Sequence, residues 1–252
     1  MSAIEIVRLM NEEEEAVLTA LRSAEPGLAK AAEKAAEAFM AGGRVVYAGA
    51  GTSGRIATMD AAEMAPTFGI EPDRFVAVFA GGLAAQTKST ERAEDDESEA
   101  RDALAAIGLG SSDVLIGLAA SGTTPYVLAA ISYARDVGAW SCGIANNPGT
   151  PVLETADLGV LLDTGPEVLT GSTRLKAGTA QKLALNRIST AAMVLCRKVV
   201  SNLMVDVKAS NEKLRGRCVR IVCELTGMGE DEAREGLENC GWNIRKVLER
   251  ER

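Results

Sequence analysis

The sequence predicts an α/β protein: a five-stranded parallel sheet flanked by helices, with helical N-terminal and C-terminal extensions. Three observations carry that prediction. Five short apolar runs are each bounded by turn signals, the pattern of strands buried on both faces. Helix-like stretches lie between most of them, and strand–helix–strand repetition implies parallel strands joined by right-handed crossovers. The chain of 252 residues, 47% hydrophobic and 25% charged, has room for one large domain or for one domain and a small appendage.

Taken in order, residues 1–42 read as helices. Ile4, Val7, Leu9 and Met10 precede an acidic run, Glu12 to Glu15, and then Val17, Leu18 and Leu21. Such a run is most simply a solvated face. Pro26 and Gly27 break the chain, and a second helix, Leu28 to Met40, stops at Gly42 and Gly43. Strands are expected at Arg44–Gly49 (RVVYAG), Phe75–Ala80 (FVAVFA), Asp113–Ala119 (DVLIGLA), Trp140–Ala145 (WSCGIA) and Asp157–Leu162 (DLGVLL). The intervening helices are Gly54–Glu63, Glu94–Ile107 and Thr124–Val137. From Arg174 the chain reads as helical again: one or two helices over 175–207, a continuation over 208–225, then 230–239 and 242–250. The expected organisation is therefore N-terminal helices packing on the core (1–42), an α/β domain (43–205) and a small helical C-terminal region (206–252). That last region is either a docking module or a plain helical cap.

Composition excludes several function classes. Aromatics are only 4%, so the core must be Ala, Val, Leu and Ile. The balance of 27 basic and 35 acidic residues gives −8, which disfavours nucleic acids and anionic membranes as partners. A small anionic substrate stays possible, because backbone amides and a few local cations can hold it. Histidine is absent, which removes His-based triads, His metal ligands and His acid–base catalysis. Proton transfer must fall to carboxylates, lysine, tyrosine, cysteine or water. The five cysteines are scattered and form no CxxC pair, so a reducing compartment and no metal site are expected. With no apolar signal core and no run of ~20 apolar residues, the expected location is the cytoplasm.

Ligands of parallel α/β sheets bind beyond the carboxyl ends of the strands, and three features there bear chemistry. The first is Gly49-Ala50-Gly51-Thr52-Ser53-Gly54-Arg55. Its glycines allow close backbone approach and the helix start directs amide N–H groups at an anion. The literal GxGxxG spacing suggests a dinucleotide. However, the next strand runs into Gly81-Gly82 rather than an acidic residue, so a small phosphate ester fits better. The second is Ser121-Gly122-Thr123-Thr124, followed by Pro125 in the first helical turn; alone it could be a simple capped helix. The third is carboxylate: Glu63 before Pro66, and Glu91 and Glu94 before Asp95 and Asp96. Acids at a helix start are commonly a solvated face suited to the helix dipole. In a chain without histidine, a pair of glutamates is also the natural acid and base.

These residues resemble the N-acetylmuramic acid 6-phosphate etherase family. The resemblance is carried by GAGTSGR (Gly49–Arg55), Asp60-Ala61-Ala62-Glu63 with Pro66-Thr67-Phe68-Gly69, and Ala93-Glu94-Asp95-Asp96. It is carried further by Ala119-Ala120-Ser121-Gly122, Thr124-Pro125-Tyr126 and Asn147-Pro148-Gly149. The most specific stretches are GPEVLTGSTRLKAGTAQKL (Gly165–Leu183) and NLMVDVKASNEKL (Asn202–Leu214). The resemblance implies a sugar-isomerase-type (SIS), flavodoxin-like domain, a homodimer, and cleavage of the lactyl ether of a sugar phosphate without metal or organic cofactor. It places Glu63 on the family's proton donor and Glu94 on its second catalytic glutamate. Gly51, Thr52, Ser53, Gly54, Ser121, Gly122, Thr123, Thr124, Glu91 and Lys176 form the expected substrate- and phosphate-binding set. Two positions depart from the family pattern: Thr123 stands where arginine is common, and Ala145-Asn146 replaces a common Ser-Cys. The family also usually carries a longer segment before Ile4 and a longer C-terminal helical region. A sugar-phosphate isomerase, or a non-enzymatic sugar-phosphate sensor like the glucokinase regulatory protein, is the alternative on the same fold.

Overall fold

A computed structural model describes residues 1–87, 91–209 and 211–250, with the side chains of Leu83 and Glu91 outside the described set. The chain divides into two compact units. One is Met1–Ala61 with Asp73–Ala192; the other is Ala62–Pro72 with Met193–Arg252.

The first unit begins with three helices, α1 (Ala3–Glu13), α2 (Glu15–Ser23) and α3 (Glu25–Met40). Among the described residues, five strands then form one sheet: β1 (Val45–Gly49), β2 (Phe75–Phe79), β3 (Val114–Leu118), β4 (Trp140–Ala145) and β5 (Leu158–Leu161). Their spatial order is β2-β1-β3-β4-β5 and every pairing is parallel. Each strand falls within one of the five apolar runs. Between them lie α4 (Gly51–Phe68), α5 (Gly82–Thr87), a 3₁₀ turn (Glu91–Asp95), α6 (Glu97–Ala106), α7 (Pro125–Asp136) and α8 (Pro151–Thr155), and α9 (Lys176–Leu195) follows β5.

Strand residues alternate between two faces. On one face Val46, Ala48 and Leu115 join Ala100, Leu104, Val127, Ala130 and Ile131 of α6 and α7 in a buried core. On the other, Tyr47 meets Phe75 edge-on, and Phe75 meets Phe39 of α3. The scarcity of aromatics is met by alanine: Ala31, Ala32, Ala35 and Ala36 of α3 are buried.

The second unit carries a short antiparallel hairpin, β6 (Val199–Val200) and β7 (Leu203–Met204), and then α10 (Glu212–Thr226), α11 (Glu230–Asn239) and α12 (Ile244–Arg250). Its own core is Val205, Val207, Cys218, Val219, Val222, Ala233, Leu237, Ile244 and Val247. Asp206 anchors it, pairing with Arg245 at 2.5 Å and Lys198 at 3.3 Å. No helix among the described residues is long and apolar enough to cross a membrane.

Several expected boundaries are corrected. Pro26 does not break a helix; it sits in the first turn of α3, where its missing N–H is an orphan anyway. The helix expected from Gly54 starts at Gly51 and continues past Pro66 to Phe68. Pro66 forfeits one helical hydrogen bond near the C-terminus, and the turn survives it. The single helix expected over 94–107 is a 3₁₀ turn and α6, parted by Asp96, whose carboxylate accepts from the Glu99 amide at 3.0 Å. The helical reading of 175–207 misses the hairpin. Arg197 and Ser201 take left-handed conformations there, and the chain reverses between two pairs of apolar residues.

Candidate functional site

Only Ala50 separates the end of β1 from the start of α4, so the glycine loop is a strand-to-helix corner. Gly51 has φ +53°, the left-handed region, and a Cβ there would lie 2.9 Å from Glu94 Oε1. Glu94 rides on the 3₁₀ turn that follows β2, the strand beside β1. The structure thus brings the Glu94 carboxylate to the glycine loop. Thr52 is half-buried, while Ser53 and Gly54 are buried. The first-turn amides of α4 have no acceptor within the helix and carry the positive end of its dipole.

The second loop leaves the neighbouring strand at the same level, since Gly49 of β1 is in register with Leu118 of β3. Adjacent strands lie about 4.8 Å apart, so both loops open on one short length of the sheet edge. Three hydroxyls cluster in it. The Thr123 amide and hydroxyl each donate to Ser121 Oγ at 3.2 Å, and Ser121 Oγ lies 3.4 Å from Thr124 Oγ1. The loop after β4 braces this one: Asn147 Nδ2 donates to the Ala120 carbonyl at 2.9 Å, and the Val152 amide to the Gly122 carbonyl at 3.0 Å. Gly122 is left-handed (φ +75°), and a Cβ on it would meet Thr150 Oγ1 at 2.1 Å.

A third helix start lies at the same loops. A Cβ on Gly178, in the first turn of α9, would be 3.3 Å from Thr52 Cγ2. Glu167 caps this helix with both oxygens, accepting from the Lys176 amide (3.1 Å) and the Ala177 amide (2.9 Å). The Lys176 ammonium is itself buried, at 4% side-chain exposure, and paired with Glu13 of α1 at 2.5 Å. Lys176 therefore stands beside the loops with its charge already met by a carboxylate.

Glu63 lies exposed on α4, beyond the point where that helix passes into the second unit. The side chain of Glu91 lies outside the described residues. Sequence reasoning missed Glu13 and Glu167, the two carboxylates at the α9 start. It also missed a buried polar cluster around Asp60. Asp60 accepts hydrogen bonds from Tyr47, Asn186 and Ser189. Burial raises its pKa, against the lowering effect of those three bonds. Burial also lifts the Tyr47 hydroxyl well above its ordinary value, and the Asp60 charge adds to that. The available signals were the place of Asp60 at the head of the Asp60-Ala61-Ala62-Glu63 motif and its charge beside Met59, Ala61 and Ala62.

Against known proteins, residues 27–135 match the family described as the glucokinase regulatory protein N-terminal SIS domain, and residues 93–190 the SIS domain. The N-acetylmuramic acid 6-phosphate etherase of Geobacillus thermodenitrificans is 48% identical over 248 residues, 98% of this chain and 84% of the relative. The chain belongs to the N-acetylmuramic acid 6-phosphate etherase family. The Cronobacter sakazakii member is 47% identical with the same coverage. Among solved structures, a phosphoheptose isomerase from Francisella tularensis superposes on this etherase-family chain with a TM-score of 0.60. It is 18% identical and covers 76% of this chain and 98% of its own; that likeness is one of fold.

Proposed function

We propose that the chain is a carbon–oxygen lyase that cleaves the D-lactyl ether of N-acetylmuramic acid 6-phosphate to N-acetylglucosamine 6-phosphate and D-lactate. The observation that carries this reading is near-half identity to family members over 98% of the chain. The motif glutamates Glu63 and Glu94 are present, and Glu94 lies against Gly51.

The substrate phosphate is assigned to the helix-start loops. Thr52, Ser53, Ser121, Gly122 and Thr124 surround it, with hydroxyls and first-turn amides as donors. Opening of the sugar ring frees an aldehyde, which acidifies the proton on the neighbouring carbon. A base removes that proton, and the electron pair forms the double bond as the ether C–O bond breaks. An acid protonates the departing oxygen and lactate leaves. Water then adds across the double bond of the unsaturated sugar. The family motif assigns Glu63 as proton donor and Glu94 as the second catalytic carboxyl. Each positioned proton transfer contributes roughly a hundred- to ten-thousand-fold. No metal or organic cofactor enters these steps.

The active form is read as a cytoplasmic homodimer. Ile4, Ile6, Val7 and Leu9 of α1 are exposed and no residue of that helix is buried, which leaves an apolar face for a second copy. Cys142, Cys218, Cys223 and Cys240 carry free thiols, in keeping with a reducing compartment. The test is incubation of the purified chain with N-acetylmuramic acid 6-phosphate. D-lactate and N-acetylglucosamine 6-phosphate should appear in equal amounts; no lactate above a protein-free control would end the reading.

A further inference from the structure

Helices α4 and α9 meet at one buried carboxylate. Asp60, on α4, is 4% exposed. Its Oδ2 accepts from the Tyr47 hydroxyl of β1 at 2.9 Å. Its Oδ1 accepts from Asn186 Nδ2 at 2.9 Å and from the Ser189 hydroxyl at 3.2 Å, both on α9. None of these partners is a cation; Lys182, on the same helix, acts on Asp60 only through its field. An ionised carboxylate buried this way gives up hydration that neutral partners replace only through well-directed hydrogen bonds. An apolar contact at that place would stabilise the fold at least as well. The carboxylate's two bonds to α9 are directional and fix the register of the two helices in a way that apolar contact does not.

The same two helices come close once more near the sheet edge, where a Cβ on Gly178 would lie 3.3 Å from Thr52 Cγ2. Asp60 and Asn186 are 126 residues apart in sequence, and Thr52 and Gly178 stand at the same offset. The helices therefore run side by side in constant register, with their starts together at the ligand edge. Eight residues of helix, about 12 Å, join the carboxylate to that edge.

We infer that Asp60 is a positioning residue, which locks α9 in register against α4 and β1 and so sets how the capped start of α9 stands against the α4 loop that receives the sugar phosphate. The inference deepens the etherase reading and rests on it for the identity of the ligand. It differs from a plain stabilising role in one respect: loss of the lock should act on ligand affinity and on the helix starts before it acts on the sheet.

The decisive experiment compares Asp60→Asn, Ser189→Ala and the reciprocal pair Asp60→Asn/Asn186→Asp with the unmodified chain. Asp60→Asn leaves one amide oxygen for donors on two sides: either it turns to Tyr47 and its NH₂ meets that of Asn186, or it turns to α9 and Tyr47 must change from donor to acceptor. The reciprocal pair restores a donor and an acceptor, and the amide oxygen introduced on α4 can still accept from Tyr47. Three readouts are taken: KM and kcat for lactate release, calorimetric binding of N-acetylglucosamine 6-phosphate, and hydrogen exchange of the amides over 51–56 and 176–181 against those of β1 and β3.

Asp60→Asn should raise KM and weaken product binding by about tenfold or more with kcat within about threefold. It should speed exchange at the two helix starts while the strands keep their protection. Ser189→Ala should move the same quantities in the same direction by less. The reciprocal pair should recover most of the KM and the exchange protection. Unchanged affinity and helix-start exchange in Asp60→Asn would overturn the inference. So would exchange that quickens equally in the sheet, or a reciprocal pair no better than the single variant. If the unmodified chain releases no lactate, the etherase reading fails alone, and exchange with product binding still decides the role of Asp60.

Discussion

Gly51 and Gly122 occupy matching places, just past the ends of neighbouring strands, and both are left-handed, at φ +53° and +75°. What lies over them differs. Gly51 faces the end of the Glu94 side chain, a flexible group 2.9 Å from where a Cβ would be. Gly122 faces the Thr150 side chain, with Oγ1 at 2.1 Å and Cβ at 2.5 Å, and Thr150 is itself tied to the Asn147 carbonyl at 3.1 Å. The first glycine makes room for a proposed catalytic carboxylate. The second makes room for a brace between loops. Two loops alike in composition thus divide the labour: one is built around chemistry, the other around shape.

Three predictions test that division, from the largest effect to the smallest. Glu94→Gln, which keeps size but cannot exchange a proton, should cut lactate release at least about a hundredfold with an unchanged melting temperature. Glu63→Gln should do the same. The double variant should lose much less than the product of the single losses, because groups acting in one elimination are not additive. Near-full turnover in either single variant would take that residue out of the mechanism.

The glycines themselves sharpen the contrast. Gly51→Ala should lower turnover by about tenfold or more by displacing Glu94, while its left-handed backbone costs the fold only about 1–2 kcal/mol. Gly122→Ala adds a collision with Thr150 to the same backbone strain. It should cost about 2–4 kcal/mol, read as a melting temperature lower by about 5–15 °C. If the two variants lose activity and stability in the same proportion, the division of labour is wrong.

The smallest effect belongs to a control at the other end of the same two strands. Asp113 accepts from the Arg44 amide (2.8 Å), the Arg44 guanidinium (2.7 Å) and the Gly110 amide (3.0 Å). Burial alone would raise its carboxyl pKa; the bonds from Arg44 and Gly110 outweigh it, and the net direction is down. A depressed carboxylate stabilises the fold above its ordinary titration range and loses that contribution as pH falls through the folded-state value. Asp113→Asn should therefore melt lower at neutral pH, with the gap to the unmodified chain closing as pH drops below about 4. KM should not move. A gap that persists unchanged into acid would show that packing, not charge, holds this corner.

Strands β1, β3 and β4 were legible because two-sided burial leaves an apolar run, and the runs at 44–49 and 140–145 could be bounded almost to the residue; β2 and β5, only partly buried, showed through the turn signals around them. The helix breaks were less so. Asp96 divides a 3₁₀ turn from α6 with one side-chain hydrogen bond, and acidic residues on either side mask it. The short pairs at Val199–Val200 and Leu203–Met204 carry too little alternation to announce a hairpin. At the site, the loops declared themselves through local composition, whereas their supports did not. Asp60 finds Asn186, and Lys176 finds Glu13, only because particular helix faces meet, and no spacing along the chain encodes which faces those are.

The Glu13–Lys176 pair has a consequence in time as well as in space. Its partners are 163 residues apart. At a synthesis rate of roughly 5–20 residues per second, roughly 8–30 seconds pass between the making of one and the making of the other. Throughout that interval all five strands, β1 to β5, are being made and can pair, while α1, none of whose residues is buried, has no counter-charge from α9 to hold it. Helix α1, made before the whole sheet, thus meets the charge of Lys176 only after every strand of that sheet has been made.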